Sequence, residues 1–260
     1  MNRTILITGS SRGLGAALAQ ALARDGHRVA IHYRTSRSDA EQTAQAIQKD
    51  GGTAAIFQSP LTTLAEGEHL VREIISRFGS LDTLINNAGS FNQKRFEELT
   101  QEEWEEGFAS TAGAAFVATR AALPHLRASG CGRIVNIGDS MSERLGFTEP
   151  AMSYYIGKAG VWMMTQTLAF TEAPHQITVN MVSPGVLDNS ICTTPLDEMP
   201  IGRFGTYEDI LHPVRFLLDE KSGAVTGSNL HAGGGWNIAP MFSTVLSRSG
   251  YTKSPPAGTT

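Results

Sequence analysis

Apolar positions along this chain fall into two rhythms. Short runs such as Thr4 to Ile7 and Arg28 to Tyr33 are continuous and rich in β-branched residues, whereas segments such as Leu14 to Arg24 repeat their apolar positions every three or four residues. The first rhythm predicts strands buried on both faces, and the second predicts helices with one apolar face. In order, strands are expected at Thr4 to Thr8, Arg28 to Tyr33, Thr53 to Gln58, Thr83 to Ile85, Gly132 to Ile137, Gln176 to Val182 and Asn229 to Ala232. Helical patterns lie between them at Leu14 to Arg24, Asp39 to Lys49, Ala65 to Phe78, Gln101 to Ala128 with a kink at Pro124, Tyr154 to Thr171 and Tyr207 to Leu218. Strands separated by helices of this length form right-handed βαβ units. The expected fold is therefore α/β: a single-domain, doubly wound, seven-stranded parallel sheet with helices on both faces.

A chain of 260 residues suits one such domain, taken as residues 1–240. The end of the chain, Ser247 to Thr260, is rich in Ser, Pro, Gly and Thr, which predicts a largely disordered tail over 241–260. A net charge of -4 gives no electrostatic case for nucleic acid or a membrane surface. No apolar run approaches the ~20 residues of a membrane span, and the first residues lead straight into a strand. Cys131 and Cys192 have neither metal-ligand spacing nor the density of a disulfide framework. A cytoplasmic protein without a metal site is expected.

The chemistry gathers at strand ends. Thr8 to Gly15 places glycines between a strand and a helix, where a backbone turns sharply and aims a helix N-terminus at an anion such as a pyrophosphate. Gly9, Ser11, Arg12, Gly13, Leu14 and Gly15 are the candidate contacts. After the second strand come Tyr33, Arg34, Thr35, Ser36 and Arg37 with no acid among them. Basic and hydroxyl groups there suit a 2'-phosphate better than a free ribose, favouring NADPH/NADP+ over NAD(H). Asn86-Asn87-Ala88-Gly89 ends the fourth strand with small and amide residues fit for a crowded strand end or a plain turn. Tyr154 and Lys158 stand four apart on a helix and so share a face, where a cation near a phenol can bring proton transfer toward neutral pH. Pro184-Gly185 closes the sixth strand, and the polar stretch Val186 to Gly202 reads as a mobile lid.

These motifs, in this order, resemble the short-chain dehydrogenase/reductase (SDR) family over roughly residues 3 to 238. Thr8 to Gly15 matches its TGxxxGxG, Asn86 to Gly89 its NNAG, Tyr154 and Lys158 its YxxxK, and Pro184-Gly185 its PG. The resemblance implies a Rossmann sheet, NAD(P)-dependent hydride transfer to or from a carbonyl carbon, and a homodimer or homotetramer through the helices 101–128 and 154–171. It implies that Tyr154 is the general acid and that Lys158 lowers its pKa and binds the nicotinamide ribose. Asn87, Ala88, Gly89, Pro184, Gly185 and Val186 would flank the cofactor.

The chain also departs from the family. Seven residues after Trp104, where the family carries an Asn, stands Thr111, which puts the proton relay from Lys158 in doubt. The position of the substrate-binding serine is Asp139 when counted forward from the fifth strand but Met141 when counted back thirteen from Tyr154. A two-residue insertion follows, with either Asp139 or Ser140 in the site. Where the family often has an adenine-contacting Asp, the chain has Ser59-Pro60-Leu61.

The expected function is NADPH-dependent reduction of a ketone in a small or medium organic molecule, including acyl or polyketide intermediates. One alternative is reduction of a pterin or other C=N bond, because Asp139 and the His32-Tyr33-Arg34 strand end are similar to pteridine reductases. Another is a non-catalytic NADP(H)-binding sensor or assembly subunit, motivated by Thr111.

Overall fold

The computed structural model describes residues 2–143, 151–190 and 195–236. The expected tail, Cys192, and parts of the 138–153 and 186–202 segments lie outside the described residues.

Seven strands form one parallel sheet in the order β3-β2-β1-β4-β5-β6-β7. They are β1 (Thr4–Ile7), β2 (Arg28–Tyr33), β3 (Thr53–Gln58), β4 (Thr83–Asn86), β5 (Arg133–Ile137), β6 (Thr178–Pro184) and β7 (Asn229–Ala232). The helices are α1 (Gly13–Arg24), α2 (Arg37–Lys49), α3 (Leu64–Phe78), α4 (Gln101–Phe108), α5 (Ala114–Ala128), α6 (Met152–Glu172) and α7 (Tyr207–Leu218). β1 pairs with β2 on one side and β4 on the other, with Ile7 opposite both Ile31 and Ile85. The chain therefore reverses its winding at β1, and a crevice opens beyond the C-terminal ends of β1 and β4.

Alternate residues of each strand feed two cores, which is why the strands read as unbroken apolar runs. Ile5, Ile7, Val29 and Ile31 pack with Leu18, Leu22, Ile47 and Val214 on the face of α1, α2 and α7. Leu6, Ala30, Leu84 and Ile134 pack with Leu70, Ile74, Val117 and Leu126 on the face of α3 and α5.

Most expected boundaries move by a residue or two, and three changes bear on the site. β6 begins at Thr178 rather than Gln176, because Gln176 takes a left-handed φ of 61° to end a short turn over Ala173–His175. α2 begins at Arg37, so Arg37 belongs to the helix and only Arg34 to Ser36 form the loop. The long helix expected over 101–128 is broken by a wide π turn at Ala109–Gly113, where the Ala114 N–H reaches back five residues to the Ala109 carbonyl. Pro124, where the kink was expected, lies inside α5 without ending it. No described helix is long and apolar enough to cross a membrane.

Candidate active site

The crevice has two adjoining parts that share Leu14, Asn87, Gly89 and Phe91. The first, about 540 Å³, is lined by Gly9 to Gly15, by Tyr33, Arg34, Thr35 and Ser36, and by Asn87, Ala88 and Gly89. The second, about 450 Å³, is lined by Asp139, Ser140, Tyr154, Lys158, Pro184, Gly185 and Val186. Every expected site residue except Thr111 thus borders one of the two.

Local rules explain the first part. Gly9 sits at φ +62°, and a Cβ there would stand 3.0 Å from the Ala88 Cα. A Cβ on Gly15 would stand 2.6 Å from Asn87 Nδ2, the amide that donates to the Thr8 and Gly9 carbonyls. At the start of α1, Arg12 offers no side-chain cap and no acid lies in the first turn. Its leading N–H groups therefore face the crevice without a side-chain acceptor, a cradle that fits the pyrophosphate of a nicotinamide dinucleotide.

In the second part, α6 places Tyr154 and Lys158 on one face, and the Lys158 Nζ lies 5.6 Å from the centre of the Tyr154 ring. Lys158 is almost fully buried and donates to the Ile137 carbonyl at 2.7 Å. Asp139 and Ser140 both line this cleft and Met141 does not, so the count from β5 locates the pair. Ser140 donates through Oγ to Asp139 Oδ1 at 3.2 Å, and the same oxygen accepts the Met141 N–H at 3.0 Å. Phe91, Tyr154 and Tyr155 form an edge-to-face aromatic wall with centroids 5.0 to 6.1 Å apart.

Residues 3–199 match the model of the family described as short chain dehydrogenase. This chain belongs to that family. It is 32% identical over 244 residues to a 3-oxoacyl-[acyl-carrier-protein] reductase, FabG, of Staphylococcus epidermidis, covering 90% of this chain and 99% of that protein. It is similar at TM-score 0.83 and 32% identity to a dehydrogenase/reductase from Sinorhizobium meliloti 1021, covering 90% of this chain and 95% of that one. It is also similar, at TM-score 0.81 and 30% identity, to an NADH-dependent reductase responsible for alginate metabolism, covering 90% and 97% of the two chains. The protein is a single-domain oxidoreductase with a Rossmann-like fold, and the family to which it belongs binds a nicotinamide cofactor.

Burial dominates the electrostatics of the site in this short-chain dehydrogenase. Burial pushes the Tyr154 phenol well above its ordinary 10, and Asp139 and then Tyr155 push it the same way. Burial lowers the Lys158 pKa to about 8, against the pull of Asp139. Asp139 is raised by burial, opposed by the Met141 N–H, Lys158 and Ser140. Tyr154 is thus held as a neutral phenol.

Thr111 lies behind the site rather than on its surface. It is buried, and its Oγ1 donates to the Gly107 carbonyl at 2.5 Å. Its methyl group would be 3.4 Å from a Cβ on Gly89. Its hydroxyl proton is spent on the helix, so it is placed to shape the wall under Tyr154 and Lys158 rather than to hold a water in the cleft.

Several contributors escape sequence reading. His32 is buried; its Nδ1 accepts the Gly9 N–H at 3.0 Å and its Nε2 meets the Ser59 carbonyl at 2.9 Å. This fixes the neutral tautomer with the proton on Nε2 and ties the glycine turn to the ends of β2 and β3. Burial lowers its pKa to about 4. Asn189 donates to the Tyr207 hydroxyl, joining the start of the 186–202 segment to α7. That segment is also tied at its base by Asp188 to the Gly205 carbonyl at 2.9 Å. Trp236 lines the second cleft from the far side.

Proposed function

We propose that the chain is an NADPH-dependent ketoreductase acting on a 3-oxoacyl thioester or a similar small or medium ketone. The observation that carries the reading is the placing of Tyr154 and Lys158 on one face of α6, bordered by Asp139 and Ser140, in a cleft that adjoins the cradle at α1. A bound nicotinamide dinucleotide supplies a hydride to the carbonyl carbon. Tyr154 gives its proton to the carbonyl oxygen, where charge builds as the carbon is reduced. Lys158, still largely charged at neutrality, stabilises the tyrosinate left behind. Asp139 and Ser140 orient the carbonyl, with Ser140 as the hydroxyl donor once it turns from Asp139. Thr111 holds Gly107 and thereby the packing of α4 against α6.

NADPH is favoured by Arg12, Arg34 and Ser36 around the first cleft. Assays with acetoacetyl-CoA and either NADPH or NADH test both parts of the reading. Tyr154→Phe should lower turnover by roughly 10²–10⁴ fold, the usual worth of a positioned general acid, with the fold intact. Unchanged turnover would remove the assignment.

A second reading, reduction of a pterin or other C=N bond, rests on a carboxylate at Asp139 where a serine is expected, beside the aromatic wall of Phe91 and Tyr155. Dihydrobiopterin with NADPH separates the two, and zero turnover removes the second. No structural observation favours the non-catalytic reading.

We also infer that copies associate through α5 and α6. Phe116, Met163 and Phe170 project from these helices, Phe170 at 84% exposure, and are the apolar side chains such an interface would cover. A monomer by sedimentation velocity at micromolar concentration would refute this.

A further inference from the structure

Arg34 stands where a 2'-phosphate would be read, yet it is not free. Its Nη1 donates to Glu106 Oε1 at 2.6 Å, across the mouth of the first cleft from α4. Both residues line that cleft. Gln58 fixes the other end of Arg34 by donating to its carbonyl at 3.1 Å. Arg37, the next basic residue, is already paired along α2 with Glu41 at 2.8 Å. The position of Glu106 is equally determined, because its neighbour Gly107 packs so closely on Ser153 of α6 that a Cβ there would overlap the Ser153 side chain.

A carboxylate at that place acts on a 2'-phosphate in two ways of the same sign. It occupies the guanidinium edge that the phosphate needs, and it repels the phosphate's own charge. A ribose with a free 2'-hydroxyl pays neither cost and can donate to the same carboxylate. We infer that Glu106 is a cofactor-specificity residue, which competes with the 2'-phosphate for Arg34 and narrows the preference of this enzyme for NADPH over NADH. This rests on the proposal that Arg34 reads a 2'-phosphate. Exchange of partners is feasible because Arg34 and Glu106 are 50% and 38% exposed, so the pair breaks at small cost.

The test is calorimetric titration of NADP+, NAD+ and adenosine 2'-monophosphate into the wild type, Glu106→Gln, Glu106→Asp and Arg34→Gln. None of these measurements needs turnover. Glu106→Gln should tighten NADP+ and adenosine 2'-monophosphate by roughly two- to fivefold, the worth of an exposed ion pair, and leave NAD+ within twofold. Glu106→Asp, too short to keep the 2.6 Å contact, should move the same way by less and covers the case in which Glu106→Gln does not fold. Arg34→Gln should weaken NADP+ selectively. If Arg34→Gln weakens NADP+ while neither Glu106 variant tightens it, the inference is overturned and the NADPH reading stands. If Arg34→Gln leaves NADP+ unchanged, both are overturned.

Discussion

Replacing Lys158 with Met keeps most of the side-chain volume and removes the charge, and the consequence for stability can be worked out from the site. A lysine moved from 10.5 to about 8 by burial has its ammonium disfavoured in the folded protein by about 3 kcal/mol. The sign follows from proton counts. Between pH 8 and 10.5 the unfolded chain holds the proton that the folded chain has lost, so stability rises with pH across that window. Below pH 8 both forms are protonated and the full penalty applies. The wild type should therefore regain about 1 kcal/mol by pH 9 and about 2.5 kcal/mol by pH 10, relative to pH 7. Lys158→Met lacks this recovery. It loses the bond to the Ile137 carbonyl at every pH, at a cost of about 1–3 kcal/mol, so the two proteins should be of similar stability at pH 7. Urea unfolding at pH 7, 9 and 10, with the ligand-free protein, reads the difference between the two. Groups that titrate alike in both cancel. A wild-type-minus-variant difference that does not change with pH would show that Lys158 is an ordinary solvated lysine and would refute the account of its burial. In the same variant, turnover should fall steeply at all pH values.

Other consequences are equally direct. His32 has a folded pKa of about 4, below the 6.5 of the free side chain, so its contribution is present above pH 6.5 and is lost as pH falls from there toward 4. The loss amounts to about 3 kcal/mol; His32→Gln should flatten the fall in urea midpoint between pH 7 and 4.5, and an unchanged slope would count against the assignment. Gly15→Ala places a methyl group 2.6 Å from Asn87 Nδ2 and 2.8 Å from the Ser10 Cα. Thermal unfolding should report a loss of about 1–3 kcal/mol and calorimetry a weaker dinucleotide, whereas an unaltered dissociation constant would mean that the turn does not set the cradle.

The elements that sequence reading located best are those whose evidence is local. β1, the glycine turn and α1 are adjacent in the chain, and each signals itself by residue type: a buried strand by Ile5, Leu6 and Ile7, a sharp turn by Gly9 and Gly15, and a helix by the spacing of Leu14, Leu18 and Leu22. The parallel, doubly wound sheet follows from the alternation of elements and the handedness of their connections, whereas the strand order comes from the structure. Tyr154 and Lys158 were legible for the same reason, since four residues on a helix fix a shared face. What depends on distance through space was not. No feature of residues 30 to 34 announces that His32 braces Gly9, nor that Arg34 meets a carboxylate seventy-two positions away. The proximity of Tyr154 to a cation is readable from spacing, whereas its burial depends on the whole fold. The π turn escaped because it changes which carbonyl each amide reaches and leaves composition untouched. Asp139 and Ser140 were narrowed to a pair by counting from β5, and the structure places both in the cleft without choosing between them.

The wide turn at Ala109–Gly113 also sets a timescale. Its backbone bonds span five residues where those of α4 and α5 on either side span four, and native-state hydrogen exchange should find its amides opening ahead of both helices. The same turn carries Thr111, the wall behind Lys158, and lies between the helix that presents Phe116 and the one that presents Glu106. A fluctuation that begins there reaches the catalytic wall, the apolar outer face and the rim of the adenosine cleft together, so these three regions should share one exchange rate although no side chain connects them all.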